Sequence, residues 1–251
     1  MPEAFWAALA EPGLIWVCAA SLLAGLAYGF AGFGSALIFM PLASIVLPPP
    51  IAVAAFSLSA LASLVTVVPG AWKVADRRSV MVLVAACVVL TPVGVLALRF
   101  APEEILRTAI AVITLATLAA LLAGWRVPLS AGRRTQVAVG ALAGLTGGST
   151  GLNGPPVILF NLGATQPVEV TRGNLACFLT LTSLTFLPQP WLQGLLPPRA
   201  IWLGFLLLVP YAIGTSIGTW VFDPRFARIY RAFAYTLIGC AGAAALPIWG
   251  I

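Results

Sequence analysis

Two stretches of this chain place glycine, proline and small hydroxyl residues inside otherwise apolar sequence. The fuller one runs from Gly144 to Leu162 and reads G-L-T-G-G-S-T-G-L-N-G-P-P-V-I-L-F-N-L. Irregular backbone is not tolerated against lipid, so such a stretch must be buried in protein or line a wet cavity. The chemistry these residues suit is anion binding. A helix N-terminus presents unpaired N–H groups and about half a positive charge. Gly34-Ser35 opens one short apolar segment and Asn153-Gly154-Pro155-Pro156 opens another. Asn153 is a good N-cap, and proline is preorganised for a first helical turn. Pro155 and Pro156 have no N–H, however. Donors in the second stretch would come from Gly147, Gly148, Ser149, Thr150 and Gly151, as a backbone nest or through hydroxyls. The candidate substrate contacts are therefore Gly32, Gly34 and Ser35 in the first stretch, and Gly148, Ser149, Thr150, Gly151, Asn153 and Gly154 in the second.

Two further residues join that set. Arg172 and Asn174 lie just downstream of the second stretch, whereas the matching region of the first, around Ala52, carries no charge. Arg172 either contacts an anion or snorkels and sets topology. Asn161 and Asn174 suit interhelical hydrogen bonding as well as substrate contact. Ser57, Ser59, Thr66, Thr180, Thr182 and Ser183 lie downstream of the two stretches and could line a pore, although such hydroxyls often bond their own helix. Gly25 and Gly144 read as packing positions.

Other chemistries are poorly served. The chain has no histidine. Its four cysteines, Cys18, Cys87, Cys177 and Cys240, are widely spaced in apolar runs, which suits neither zinc nor a disulfide framework. Glu3, Glu11, Asp76, Glu103, Glu104, Glu169 and Asp223 all fall at segment ends or in loops. Mid-membrane carboxylates are thus missing, which favours a neutral or anionic substrate and leaves any coupling ion open. Ser149 and Cys177 are available nucleophiles without a base beside them, so an enzyme is not expected. No cofactor, metal ligand set or nucleic-acid partner is expected either.

The elements that must position these residues can be read from composition. Of 251 residues, 61% are hydrophobic and 8% charged. That describes an all-α polytopic membrane protein in contact with the lipid bilayer. Apolar segments fall at about 14–30, 35–47, 51–69, 79–98 and 104–124, then at about 135–148, 154–163, 174–195, 200–221 and 227–248. Segments 35–47 and 154–163 are too short to cross about 30 Å of hydrocarbon; full crossing and re-entry both remain open for them. Each comes directly after a glycine-rich stretch. Gly25, Gly29 and Gly32 match Gly144, Gly148 and Gly151 at a constant offset of 119. After one inserted residue, Asn153, the residues Gly34, Ile38 and Leu42 match Gly154, Ile158 and Leu162. The chain is therefore expected to hold two inverted repeats of about five helical segments each, with the short or broken helices at their interface. The first repeat is 1–124, a basic connecting loop is 125–134, and the second repeat is 135–251.

Charge supports the odd number. With five segments per half, Lys73, Arg77, Arg78, Arg126, Arg133, Arg134, Arg172, Arg225, Arg228 and Arg231 share one side, and only Arg99, Arg107 and Arg199 lie on the other. This puts the basic loops in the cytoplasm and both termini outside, in a plasma (inner) membrane. Trp72, Trp125, Trp191 and Trp249 sit near segment ends as interfacial anchors.

With these residues in view, the chain resembles the TauE/SafE (TSUP) family of sulfite exporters. The first half carries Gly29-Phe-Ala-Gly-Phe-Gly34, Pro41 and the basic loop Lys73 to Arg78. The second carries Gly154-Pro-Pro-Val-Ile-Leu-Phe160 and Arg172-Gly-Asn-Leu-Ala-Cys-Phe178. The resemblance implies a secondary transporter of small sulfur-containing anions, such as sulfite, sulfoacetate or other sulfonates, working by alternating access. An anion channel and a non-transporting membrane subunit are the remaining alternatives.

Overall fold

The computed structural model describes residues 2–124, 132–163, 166–192 and 197–246. Trp125, Arg126, Trp249 and most of the connecting loop 125–134 lie outside them. The described chain is helical throughout: α1 (Pro2–Leu9), α2 (Leu14–Ala31), α3 (Ser35–Ala43), α4 (Pro49–Ser59), α5 (Ser63–Thr66), α6 (Val68–Val74), α7 (Arg77–Phe100), α8 (Glu103–Leu122), α9 (Arg133–Thr150), α10 (Gly154–Gly163), α11 (Val168–Phe186), α12 (Pro188–Leu192), α13 (Pro198–Val221) and α14 (Ala227–Ala244). Among the described residues, six helical stretches are long and apolar enough to cross a membrane. Large apolar side chains such as Ile15, Val65, Val89 and Trp220 face outward, as a lipid-facing surface requires.

Helix ends obey the punctuation of the sequence. Pro48, Pro102, Pro167 and Pro197 are the N-cap residues of α4, α8, α11 and α13. Their fixed φ suits a chain about to enter a helix, and no donor is lost there. Asp76 caps α7 by accepting the Ser79 N–H at 3.2 Å. The long helices before the breaks end alike. Gly32 ends α2 with φ 77° and donates its N–H to Tyr28 O; Gly151 ends α9 with φ 75° and donates to Gly147 O. Glycine suits this left-handed ending because it has no Cβ to clash.

Beyond each cap the chain turns back as a hairpin. Trp16, near the start of α2, donates its indole N–H to Leu42 O near the end of α3 at 2.9 Å. The short helix therefore runs back toward the end where α2 began. In the second half, Asn174 near the start of α11 donates to Asn161 of α10 at 3.4 Å and accepts the Asp76 N–H at 2.7 Å. Thus α10 returns toward the end that carries Asp76 and the start of α7. Segments 35–47 and 154–163 thus each return beside the long helix that precedes them, toward the end from which that helix set out.

The two hairpins are held by matching seams. Added methyl groups at Gly25 and Gly29 of α2 would each come within 2.5 Å of a backbone oxygen of α13, those of Tyr211 and Thr215. Gly144 and Gly148 of α9 meet the Cys87 and Thr91 oxygens of α7 in the same way. Glycine opposes glycine at the end of each seam, Gly29 with Gly218 and Gly148 with Gly94. Such small faces let backbones pack closely where lipid offers no hydrophobic drive. Residue numbers rise together along both seams, so each pair of helices is parallel. Accordingly, Arg77 and Arg133 share one end of the bundle. Arg172, stacked on Phe222 beyond the end of α13, lies at that same end. Arg107, which donates to Ile45 O, and Arg199, paired with Glu11, lie at the other.

Gly29→Ala should lower stability by about 1–3 kcal/mol, because the new methyl group meets backbone that cannot step aside. Gly70 has nothing within 4 Å of an added Cβ, so Gly70→Ala should leave stability unchanged or raise it. Thermal unfolding of the solubilised variants tests the pair.

Candidate functional site

A small cavity lies between the turns of the two hairpins. Its free core has room for about one water-sized group. From the first hairpin it receives Gly34, Ser35, Ala36 and Leu37; from the second, Asn153, Gly154, Pro155 and Ile158. The first intrahelical bond of α3 runs from Ile38 N–H to Gly34 O. The N–H groups of Ser35, Ala36 and Leu37 therefore precede the ladder, and the positive end of the α3 dipole faces the cavity. Gly34, with φ 94°, makes the turn that points this end inward. Across the cavity α10 starts with Gly154 and two prolines, so it offers one N–H where α3 offers three.

Hydroxyls complete the wall. Tyr28 donates to Ala176 O at 2.7 Å and meets Thr180 Oγ1 at 2.8 Å. Thr180 in turn meets Ser63 Oγ at 2.8 Å. Tyr211 lines the same space and interacts with the Ser35 hydroxyl. Phe56 stacks on Phe39 with ring centroids 4.7 Å apart and meets the Tyr211 ring edge-on. The arrangement gives a small, largely apolar chamber faced by the N–H groups of α3, with the hydroxyl oxygens of Tyr28, Thr180 and Ser183 in its wall. It suits a compact oxyanion that can shed its water.

A second small cavity adjoins the first. Phe56, Asn153 and Ser183 line both. Gly147 and Gly151 from the last turn of α9, together with Ser57, Thr91 and Thr182, add to its wall. Asn153 donates to Thr182 Oγ1 at 2.6 Å, which fixes its side chain between the two spaces.

Of the residues expected from sequence, Gly34, Ser35, Asn153 and Gly154 meet at the first cavity, and Gly151 lines the second. Gly32 caps α2 and packs against Arg172. Gly148 belongs to the α7–α9 seam. Ser149 and Thr150 turn their hydroxyls back to Leu145 O and Thr146 O of their own helix. Asn174 ties α11 to Asp76, Asn161 and Gln166. Arg172 donates to Gly29 O, in the last turn of α2, and its guanidinium lies 4.0 Å from the Phe222 ring centroid. It does not line either cavity. The free helix-start N–H donors gather on α3 of the first hairpin.

Tyr28, Ser63 and Tyr211 were missed. In sequence they are polar atoms scattered in apolar runs, and their partners lie far away along the chain. Of the other hydroxyls singled out as pore candidates, Ser57, Thr180, Thr182 and Ser183 do line the cavities, whereas Ser59 bonds Phe56 O and Thr66 pairs with Thr215.

No curated protein and no solved structure matches the chain. A protein-family model does: that of the sulfite exporter TauE/SafE matches residues 17–245, a range that takes in both hairpins, both seams and both cavities. The chain belongs to the TauE/SafE sulfite exporter family.

Proposed function

We propose that this protein is a secondary carrier that moves a small sulfur-containing anion, sulfite or a sulfonate such as sulfoacetate, across the plasma (inner) membrane. The anion sits in the first cavity, against the N–H groups of Ser35, Ala36 and Leu37 and the surrounding hydroxyls. The observation that carries this reading is the N-terminus of α3 aimed into a chamber between two re-entrant turns. Helix N-termini in that position are anion sites in other carriers built from repeats. The inverted two-repeat reading, 1–124 and 135–251, is supported by the paired caps and the paired seams. Because α2 and α9 begin at opposite ends of the bundle, the two hairpins enter from opposite sides. Alternating access then exposes the chamber first to one side and then to the other. The Lys and Arg gathered at the end that holds Arg77 and Arg133 support a cytoplasmic position for that end, with both termini outside.

Purified protein in liposomes should take up labelled sulfite or sulfoacetate with saturation, and the unlabelled anion should raise its thermal stability. Absence of both effects over a panel of sulfite, sulfonates, sulfate, thiosulfate and carboxylate analogues would overturn the assignment. Non-saturating single-channel current would replace the carrier with a channel.

A further inference from the structure

The two cavities lie at helix ends of opposite sign. The second has four hydroxyls in its wall, and each donates its proton to its own helix. Ser57 donates to Val53 O at 2.8 Å, Thr91 to Cys87 O at 2.7 Å, Thr182 to Phe178 O at 2.8 Å and Ser183 to Leu179 O at 2.9 Å. With their protons so directed, these oxygens offer lone pairs to anything else they meet. Asn153 gives one of its two amide N–H donors to Thr182, and its Oδ1 is a further acceptor. The last turn of α9 supplies Gly147 and Gly151, so the negative end of a helix dipole lies at this cavity.

The first hairpin shows how the protein treats the equivalent helix end. At the close of α2 the guanidinium of Arg172 bonds Gly29 O, and an added Cβ at Gly32 would come 2.6 Å from Arg172 Cγ. At the close of α9 the side chains in that place are Met40 and Val53, 3.1 and 3.2 Å from an added Cβ at Gly151. One hairpin thus carries its own cation. The other ends against two uncharged side chains, Met40 and Val53, beside a pocket of acceptor oxygens.

From the acceptor-lined wall and the missing cation we infer that the second cavity binds a monovalent alkali cation, Na+, that travels with the anion. Divalent metals draw on carboxylates, and no carboxylate lines this cavity among the described residues. Neutral hydroxyl and carbonyl oxygens suit a singly charged hard ion, and half-helix C-termini hold Na+ in other carriers. Asn153 and Ser183 belong to both cavities, so cation and anion are neighbours and each favours the other's binding. The coupling rests on the proposed anion site; the cation site does not.

Radiolabelled Na+ should bind the purified full chain saturably in choline buffer without any anion. Thr91→Val and Ser57→Ala should each weaken that binding by about tenfold. Thr66→Val, which removes a hydroxyl outside the cavity, should leave it unchanged. Val53→Arg, placing a guanidinium where Arg172 stands in the other half, should abolish Na+ binding if the variant folds. In liposomes an inward Na+ gradient should accelerate sulfite uptake. Saturable sulfite uptake that is equal in choline, with no Na+ binding, would overturn the cation site while leaving the anion carrier standing. Na+ binding without transport of any tested anion would uphold the site and remove the proposed anion.

Discussion

Ala36→Pro should leave the protein folded and weaken anion binding by about 10- to 100-fold. Ala36 is the second residue of α3 and lines the first cavity. Its N–H is one of three in that first turn without an intrahelical acceptor. Proline removes the donor but keeps helical φ, and the first turn is where a helix accepts it. The second hairpin already shows such a start, since α10 opens Gly154-Pro155-Pro156. A hydrogen bond to a charged group contributes about 1.5–3 kcal/mol, which sets the expected loss. Ligand-dependent thermal stabilisation and the half-saturation of uptake should move together. Unchanged affinity in a folded Ala36→Pro protein would remove α3 from the binding site.

Arg172→Ala should lower stability by about 2–4 kcal/mol, with a change in intrinsic anion affinity of less than about threefold. The guanidinium neutralises the carbonyl end of α2 and stacks on Phe222. Its loss leaves Gly29 O without its partner in the closely packed region between α2 and α11. Arg172→Lys should recover part of the stability, since an ammonium can donate but does not stack as a plane. Denaturant or thermal unfolding, with affinity measured on the folded fraction, separates the two effects. A variant of normal stability that no longer binds would return Arg172 to the substrate path, where the sequence had suggested it.

That shift shows which features were legible in the chain. The breaks at Gly32–Gly34 and Gly151–Gly154 were visible because glycine and proline interrupt apolar runs. The matching of Gly25, Gly29 and Gly32 with Gly144, Gly148 and Gly151 was visible as a constant spacing. Segment polarity does not show which way a short leg runs; the bonds from Trp16 to Leu42 and from Asn174 to Asn161 show that each turns back beside the helix before it. Ser149 and Thr150 looked like donors by type, but their place on the last turn of α9 turns each hydroxyl to a carbonyl one turn back. Gly148 looked functional because it lies in the break, yet its face is taken by Thr91 and Gly94. The Tyr28–Thr180–Ser63 chain joins three distant parts of the sequence, and local pattern carries no trace of it.

The two parallel seams have a consequence for biosynthesis. When α9 is made, its partner α7 is already in the membrane, and that seam can close at once. The partner of α2 is α13, near the other end of the chain. Until α13 emerges, the groove at Gly25 and Gly29 has only lipid or makeshift neighbours. Of the long helices described, α2 is the earliest in order yet waits for a partner made much later. The protein is closed by joining early chain to late chain, so neither half can mature as a finished unit before the whole has been synthesised.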